Sequence, residues 1–165
     1  MAVPAPIAPN NERELVLARI MDASPEALYR TWTDGSTYPE WFCPKPWRAE
    51  AQTLDLRPGG ASRITMHGPD GEVFPNDGVF LELTPGRKIV FTDAFTEGWV
   101  PNPEGMMTAV ITFEPHAGGK TLLTARVGHP TLEKKTQHAE MGFEDGWGVM
   151  LDQLEAVARR LDTAA

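Results

Sequence analysis

The sequence predicts an α+β domain in which an antiparallel sheet of about seven strands curves around one long C-terminal helix. Between Arg48 and Val127, β-rich runs of strand length are separated by Pro58-Gly59-Gly60, Pro69-Asp70-Gly71, Pro85-Gly86 and Gly118-Gly119. Such regular punctuation makes hairpins. The C-terminal segment keeps Trp147, Met150, Leu151, Leu154, Val157, Ala158 and Leu161 on one face at i, i+3, i+4, i+7 spacing, which makes an amphipathic helix. Neither layer can bury its apolar side alone, so the sheet must grip the helix.

Residues 1–11 carry three prolines and no hydrophobic periodicity, and they read as a flexible tail before one domain spanning 12–165. A first strand runs from Glu12 to Met21. Ser24 and Pro25 then supply an N-cap and a first-turn proline for a short helix that places Ala27, Leu28, Thr31 and Trp32 on one side. A second short turn carries Tyr38, Trp41 and Phe42 before Pro44 and Pro46 forbid continuation. Six further strands are expected near Ala49–Leu56, Ala61–His67, Gly78–Leu83, Lys88–Phe95, Met107–Glu114 and Thr121–Val127. The long helix is expected from Leu132 to Leu161, with Gly142, Gly146 and Gly148 each costing about 1 kcal/mol against alanine. Glycines on a helix that faces a sheet either admit a close backbone or leave volume for a ligand.

Composition excludes several classes. The chain has 165 residues, 15 Lys and Arg against 23 Asp and Glu, and a net charge of −8, which works against binding to nucleic acid and to anionic membrane surfaces. Cys43 is the only cysteine, so neither an intrachain disulfide nor a thiolate cluster can form, and a reducing cytoplasm is expected. The N-terminus has no basic start followed by an apolar stretch, and no segment approaches the ~20 apolar residues of a membrane span. No metal or cofactor is expected, because neither HxxxH nor HExxH spacing occurs and the glycine-rich stretches lack the phosphate-loop pattern.

A cavity between helix and sheet is the natural site. Met107, Ala109, Ile111 and Phe113 alternate toward the helix, and Ile89, Phe91, Asp93 and Phe95 share a face on the neighbouring strand. That row sets one carboxylate among apolar neighbours. Asp93 is then either an acid facing the cavity, suited to general acid or base work, or a strand-end group bonded to nearby backbone. His138 is either its partner at the cavity mouth or a partly exposed helix residue, while His67, His116 and His129 are expected to meet solvent. Trp41, Trp47 and Trp99 stand beside prolines on loops expected to frame the mouth, and with Phe143, Trp147 and Leu151 on the helix they complete the proposed ligand contacts. Lys45 and Arg48 are the nearby cations available to a ligand carboxylate. Cys43 reads as a small apolar filler.

The chain resembles the family of activators of the ninety-kilodalton heat-shock-protein ATPase, within the START-like, Bet v-like, SRPBCC or helix-grip superfamily. The resemblance runs from about Arg13 to Leu161. It rests on ASPEALYRTWTD followed by WF and PKPW, on DLRPGG with MHGPDG, on FTDAF and GW, and on EMGFEDGWGVMLDQLEAVA, in that order. It implies a helix-grip fold with a ligand cavity. Relatives of this superfamily bind lipids, hormones or polyketides, act as cyclases or hydrolases, or stimulate a chaperone. The leading expectation is a cytoplasmic module that encloses a small hydrophobic molecule. The alternatives are a cyclase, isomerase or hydrolase using Asp93 and His138, and a chaperone-activating interaction module. A chaperone partner is not expected, since eleven residues stand where the namesake carries a separate chaperone-binding domain; a homodimer is left open.

Overall fold

Seven strands join in the order β1-β9-β8-β5-β4-β3-β2, every neighbouring pair antiparallel, in a computed structural model that describes residues 1–164. The strands are β1 (Glu14–Met21), β2 (Arg48–Leu54), β3 (Ala61–His67), β4 (Val73–Thr84), β5 (Lys88–Thr92), β8 (Thr108–His116) and β9 (Lys120–Gly128). Two-residue strands β6 (Phe95–Thr96) and β7 (Val100–Pro101) form a separate hairpin. The helices are α1 (Pro25–Thr33), α2 (Tyr38–Trp41), α3 (Leu132–Glu140) and α4 (Phe143–Ala164).

Register shows which face is inside. Leu17, Ala125, Ile111 and Ile89 are successive cross-strand partners from β1 to β5, and all four are buried. Onto this row α4 lays Met150, Leu151, Leu154, Val157 and Ala158, also buried. Each large apolar side chain removed from water in this way contributes about 1.5–3 kcal/mol. Register shifts between Ala51 and Thr53 on β2 and between Phe80 and Glu82 on β4 are the bulges that bend the sheet around the helix.

The start of α1 is tied to the end of α4. Ser24 Oγ accepts from the Ala27 N–H at 3.1 Å as the N-cap, and it donates to Asp162 Oδ1 at 2.7 Å. The Trp41–Lys45 segment is tied to the middle of α4, where Gln153 Nε2 donates to the carbonyls of Trp41 at 3.1 Å and Cys43 at 2.7 Å. These clamps position the aromatic cluster beside the cavity.

Four local expectations differ from the structure. The expected single helix from Leu132 is two, because Gly142 takes φ 89° and ends the first, and α3 buries none of its residues. Strand β5 stops at Thr92, where the Asp93 side chain turns to other backbone partners, and Phe95 does not continue its inner row. The Thr96–Gly105 segment carries a hairpin that lies on the outer face: Arg63, which alternates with the inward Ile64, pairs with Glu97 at 2.6 Å. At the N-terminus, Ala2 and Ile20 exchange backbone hydrogen bonds of 2.8 and 2.9 Å, which holds residues read as a loose tail against β1. Among the described residues no helix is long and apolar enough to cross a membrane.

Candidate ligand-binding site

Two adjoining spaces lie against the inner face of the sheet, one beneath α4 and the other beneath α1 and the Tyr38–Phe42 segment. The outer one is a chamber of about 320 Å³ walled by Phe91 and Met107 from the sheet, His138 from α3, and Phe143, Gly146, Trp147 and Met150 from α4. It opens past Pro44 and Met141, both exposed. The inner one is a cleft of about 30 Å³, which shares Trp32, Phe42, Asn76, Phe91 and Met107 with the chamber and adds Ser62, Gly78 and Asp93. Depressions of about 490 and 560 Å³ also border α3, but neither is enclosed between sheet and α4. An apolar wall with a few polar groups at one end is the usual form of a small-molecule site.

The aromatic wall is continuous. His138 meets Phe143 edge to face with ring centroids 5.1 Å apart, and Phe143 meets Trp147 at 5.3 Å. Gly146 completes that wall without a side chain, and a Cβ placed on it would meet nothing within 4 Å.

Asp93 sits at the head of the cleft because two chain features bring it there. A Cβ at Gly78 would collide with the Thr92 carbonyl, so only glycine lets β5 end this close to β4. The Asp93 Oδ1 then accepts from the backbone N–H groups of Met106 at 2.8 Å and Met107 at 2.9 Å, and the Asp93 carbonyl accepts from Asn102 Nδ2 at 2.8 Å. One oxygen thus holds the return strand, while Asp93 still lines the cleft.

His138 is half-buried and linked to a second histidine. His129 Nδ1 lies 2.8 Å from the Arg13 carbonyl, which can only accept, so Nδ1 carries the proton. In the neutral pair His129 Nε2 is then the acceptor for His138 Nδ1–H at 2.9 Å. His138 Nε2 is left with its lone pair, and among the described residues no protein group donates to it. Burial, and secondarily the neighbouring His129, push the His138 pKa from 6.5 down to about 4, with Asp93 opposing. His129, expected to meet solvent, is the buried member of this pair.

A pH dependence follows from this shift. Between about pH 4 and 6.5 the unfolded chain binds a proton at His138 that the folded chain does not, so stability rises with pH through that window and is full above it. Denaturant melts at pH 5 and pH 7 are expected to differ less in His138→Phe than in the wild type. Equal differences in the two proteins would contradict the assignment.

Of the residues singled out from sequence, Phe91, Asp93, Met107, His138, Phe143 and Trp147 line the cleft or the chamber. Five do not. Trp41 is 0% exposed, its ring 5.1 Å from Trp32 and 4.8 Å from Tyr38, because α2 turns it inward as a core residue. Trp47 packs on Phe74 at 5.8 Å, away from the chamber wall. Trp99 stands on the outer hairpin, 54% exposed, against Gly59 and Phe95. Ile111 on β8 and Leu151 on α4 are fully buried in the core and line neither the cleft nor the chamber. Arg48 pairs with Glu50 at 2.6 Å, and neither Arg48 nor Lys45 lines the cavity. Sequence reasoning overlooked Ser62 and Asn76, although Ser62 alternates with Ile64 and Met66 on β3 and Asn76 is the register partner of Ile64. The Cys43 thiol lines the chamber, and burial pushes its pKa up to about 11, which leaves it protonated and inert at neutral pH.

A curved antiparallel sheet, a long helix across it and short helices after the first strand define a helix-grip fold of the START-like ligand-binding type. The chain belongs to the activator of Hsp90 ATPase homolog 1-like family, whose sequence model matches residues 22–159. A protein from Nitrosomonas europaea is similar at 35% identity with a TM-score of 0.87, covering 93% of this chain and 99% of that one. Proteins from Mycobacterium smegmatis (25% identity, TM-score 0.74, covering 88% of this chain and 90% of that one) and Arthrobacter aurescens (25%, 0.78, 90% and 87%) share the fold. No curated protein matches the sequence.

Proposed function

We propose that this chain is a cytoplasmic binding module that encloses a small, mostly apolar organic molecule between sheet and α4. The observation that carries the reading is the chamber of about 320 Å³, apolar on its sheet and helix walls and left open by Gly146 where a side chain would fill it. The single buried cysteine supports a reducing compartment.

An acid–base enzyme is the second reading, favoured by Asp93 in the cleft and His138 in the adjoining chamber. A general base works best with a pKa near the operating pH, and His138 at about 4 is far below it. His138 is better suited to accept a ligand hydrogen bond than to carry protons. An interaction role of the kind the family's description names predicts an outer-surface site that does not respond to an apolar ligand.

Titration with 1-octanol is expected to change intrinsic tryptophan fluorescence saturably, because Trp147 and Trp32 both line the chamber. The response should shrink in Trp147→Phe. A linear, non-saturating change that is the same in both proteins would count against the cavity as the site.

A further inference from the structure

We infer that the ligand's polar head is a primary amine in its protonated form, seated in the inner cleft against Asp93. The inference rests on the cavity reading above and adds the chemistry of the head group. Every polar side chain lining the cleft with an unused atom offers an acceptor to it. Asp93 spends Oδ1 on two backbone N–H groups, and Oδ2 has no protein partner among the described residues. Ser62 and Asn76, both half-buried, line the same cleft, and among the described residues neither side chain makes a hydrogen bond to the protein, which leaves Ser62 Oγ and Asn76 Oδ1 free to accept. Among the described residues no lysine or arginine lines the cleft or the chamber, so the Asp93 carboxylate faces aromatic and neutral polar groups without a counter-charge. A ligand carboxylate would meet that charge as repulsion, and an alcohol would leave it unneutralised.

The walls favour a cation as well. Trp32, Phe42 and Phe91 line the cleft beside Asp93, and aromatic faces attract a desolvated cation. Size selects among cations. A volume of about 30 Å³ admits a group of one or two water molecules' bulk, which suits an ammonium head and excludes a trimethylated one. The ammonium would donate to Asp93 Oδ2, to Asn76 Oδ1 and to Ser62 Oγ, satisfying three donors with three acceptors. The apolar body of the molecule extends into the chamber, toward Trp147 and Met150.

The test is calorimetric titration at pH 7 with matched sets carrying one body and three heads: 1-octylamine, 1-octanol and octanoate, and 2-phenylethylamine, 2-phenylethanol and phenylacetate. In at least one set the amine is expected to bind about tenfold or more tighter than the alcohol, the size of one good charge-assisted contact, with the acid weakest. Asp93→Asn keeps an oxygen for the Met106 and Met107 N–H groups and removes the charge; it should bring the amine to within about threefold of the alcohol, whose own affinity stays unchanged. The wild-type ranking stands as a test even if that variant folds poorly. Equal or tighter binding of the alcohol or the acid, or an amine preference that survives in Asp93→Asn, would overturn the head-group assignment while leaving the cavity reading intact. Absence of binding by all six compounds, or binding unchanged when Gly146→Leu fills the chamber, would overturn both.

Discussion

Replacing Trp41 by alanine is expected to destabilise the protein by about 3–5 kcal/mol, the usual cost of deleting a fully buried tryptophan. The side chain is wholly enclosed, packs on Trp32 and Tyr38, and donates from Nε1 to Thr37 Oγ1 at 2.9 Å. Helix α2 has four residues and cannot persist by its own hydrogen bonds, so its geometry depends on this ring and on the Gln153 clamp. Domains of this size have about 5–15 kcal/mol of stability in total, so the variant should lose a large share of it. Chemical denaturation measures the loss. A change below about 1 kcal/mol, the range of exposed-site substitutions, would mean that Trp41 stands at a wet mouth after all.

What periodicity encodes was legible from the sequence. The alternation of Ala109, Ile111 and Phe113, the inward face of α4 and the Ser24-Pro25 helix start are local patterns, and each appears in the structure with the expected partners. Trp41 was misplaced because prolines beside an aromatic run mark a loop. Whether such a loop turns its rings in or out is decided by contacts with α1 and α4, more than a hundred residues away in the case of Gln153. Asp93 had the right strand parity, but its hold on Met106 and Met107 spans thirteen and fourteen residues, and no local spacing marks that. The His129–His138 bond crosses the turn at Pro130 and the start of α3, a nine-residue separation outside any recognised histidine pattern. The break at Gly142 was foreshadowed by a glycine in the helical stripe; the φ of 89° that makes it a terminus rather than a costly interior residue is a property of the folded chain.

Gly146→Leu decides whether the chamber under α4 is the binding site. Gly146 is helical, lines the chamber and has open space where a Cβ would go. Leucine has a higher helix propensity than glycine by about 0.7–1 kcal/mol, so the substitution should leave stability equal or raise it. Its side chain would enter the volume between Phe143, Trp147 and Met150 that a ligand body needs. Binding of any molecule seated there should fall by about a hundredfold or more, because a site already filled loses the burial that drives association. The measurement is a pair: thermal denaturation and fluorescence titration with 1-octanol, on wild type and variant. An unchanged or higher melting temperature together with abolished saturable binding is expected; a variant that is equally stable and binds the probe with wild-type affinity would rule out the chamber and move the site to the outer surface.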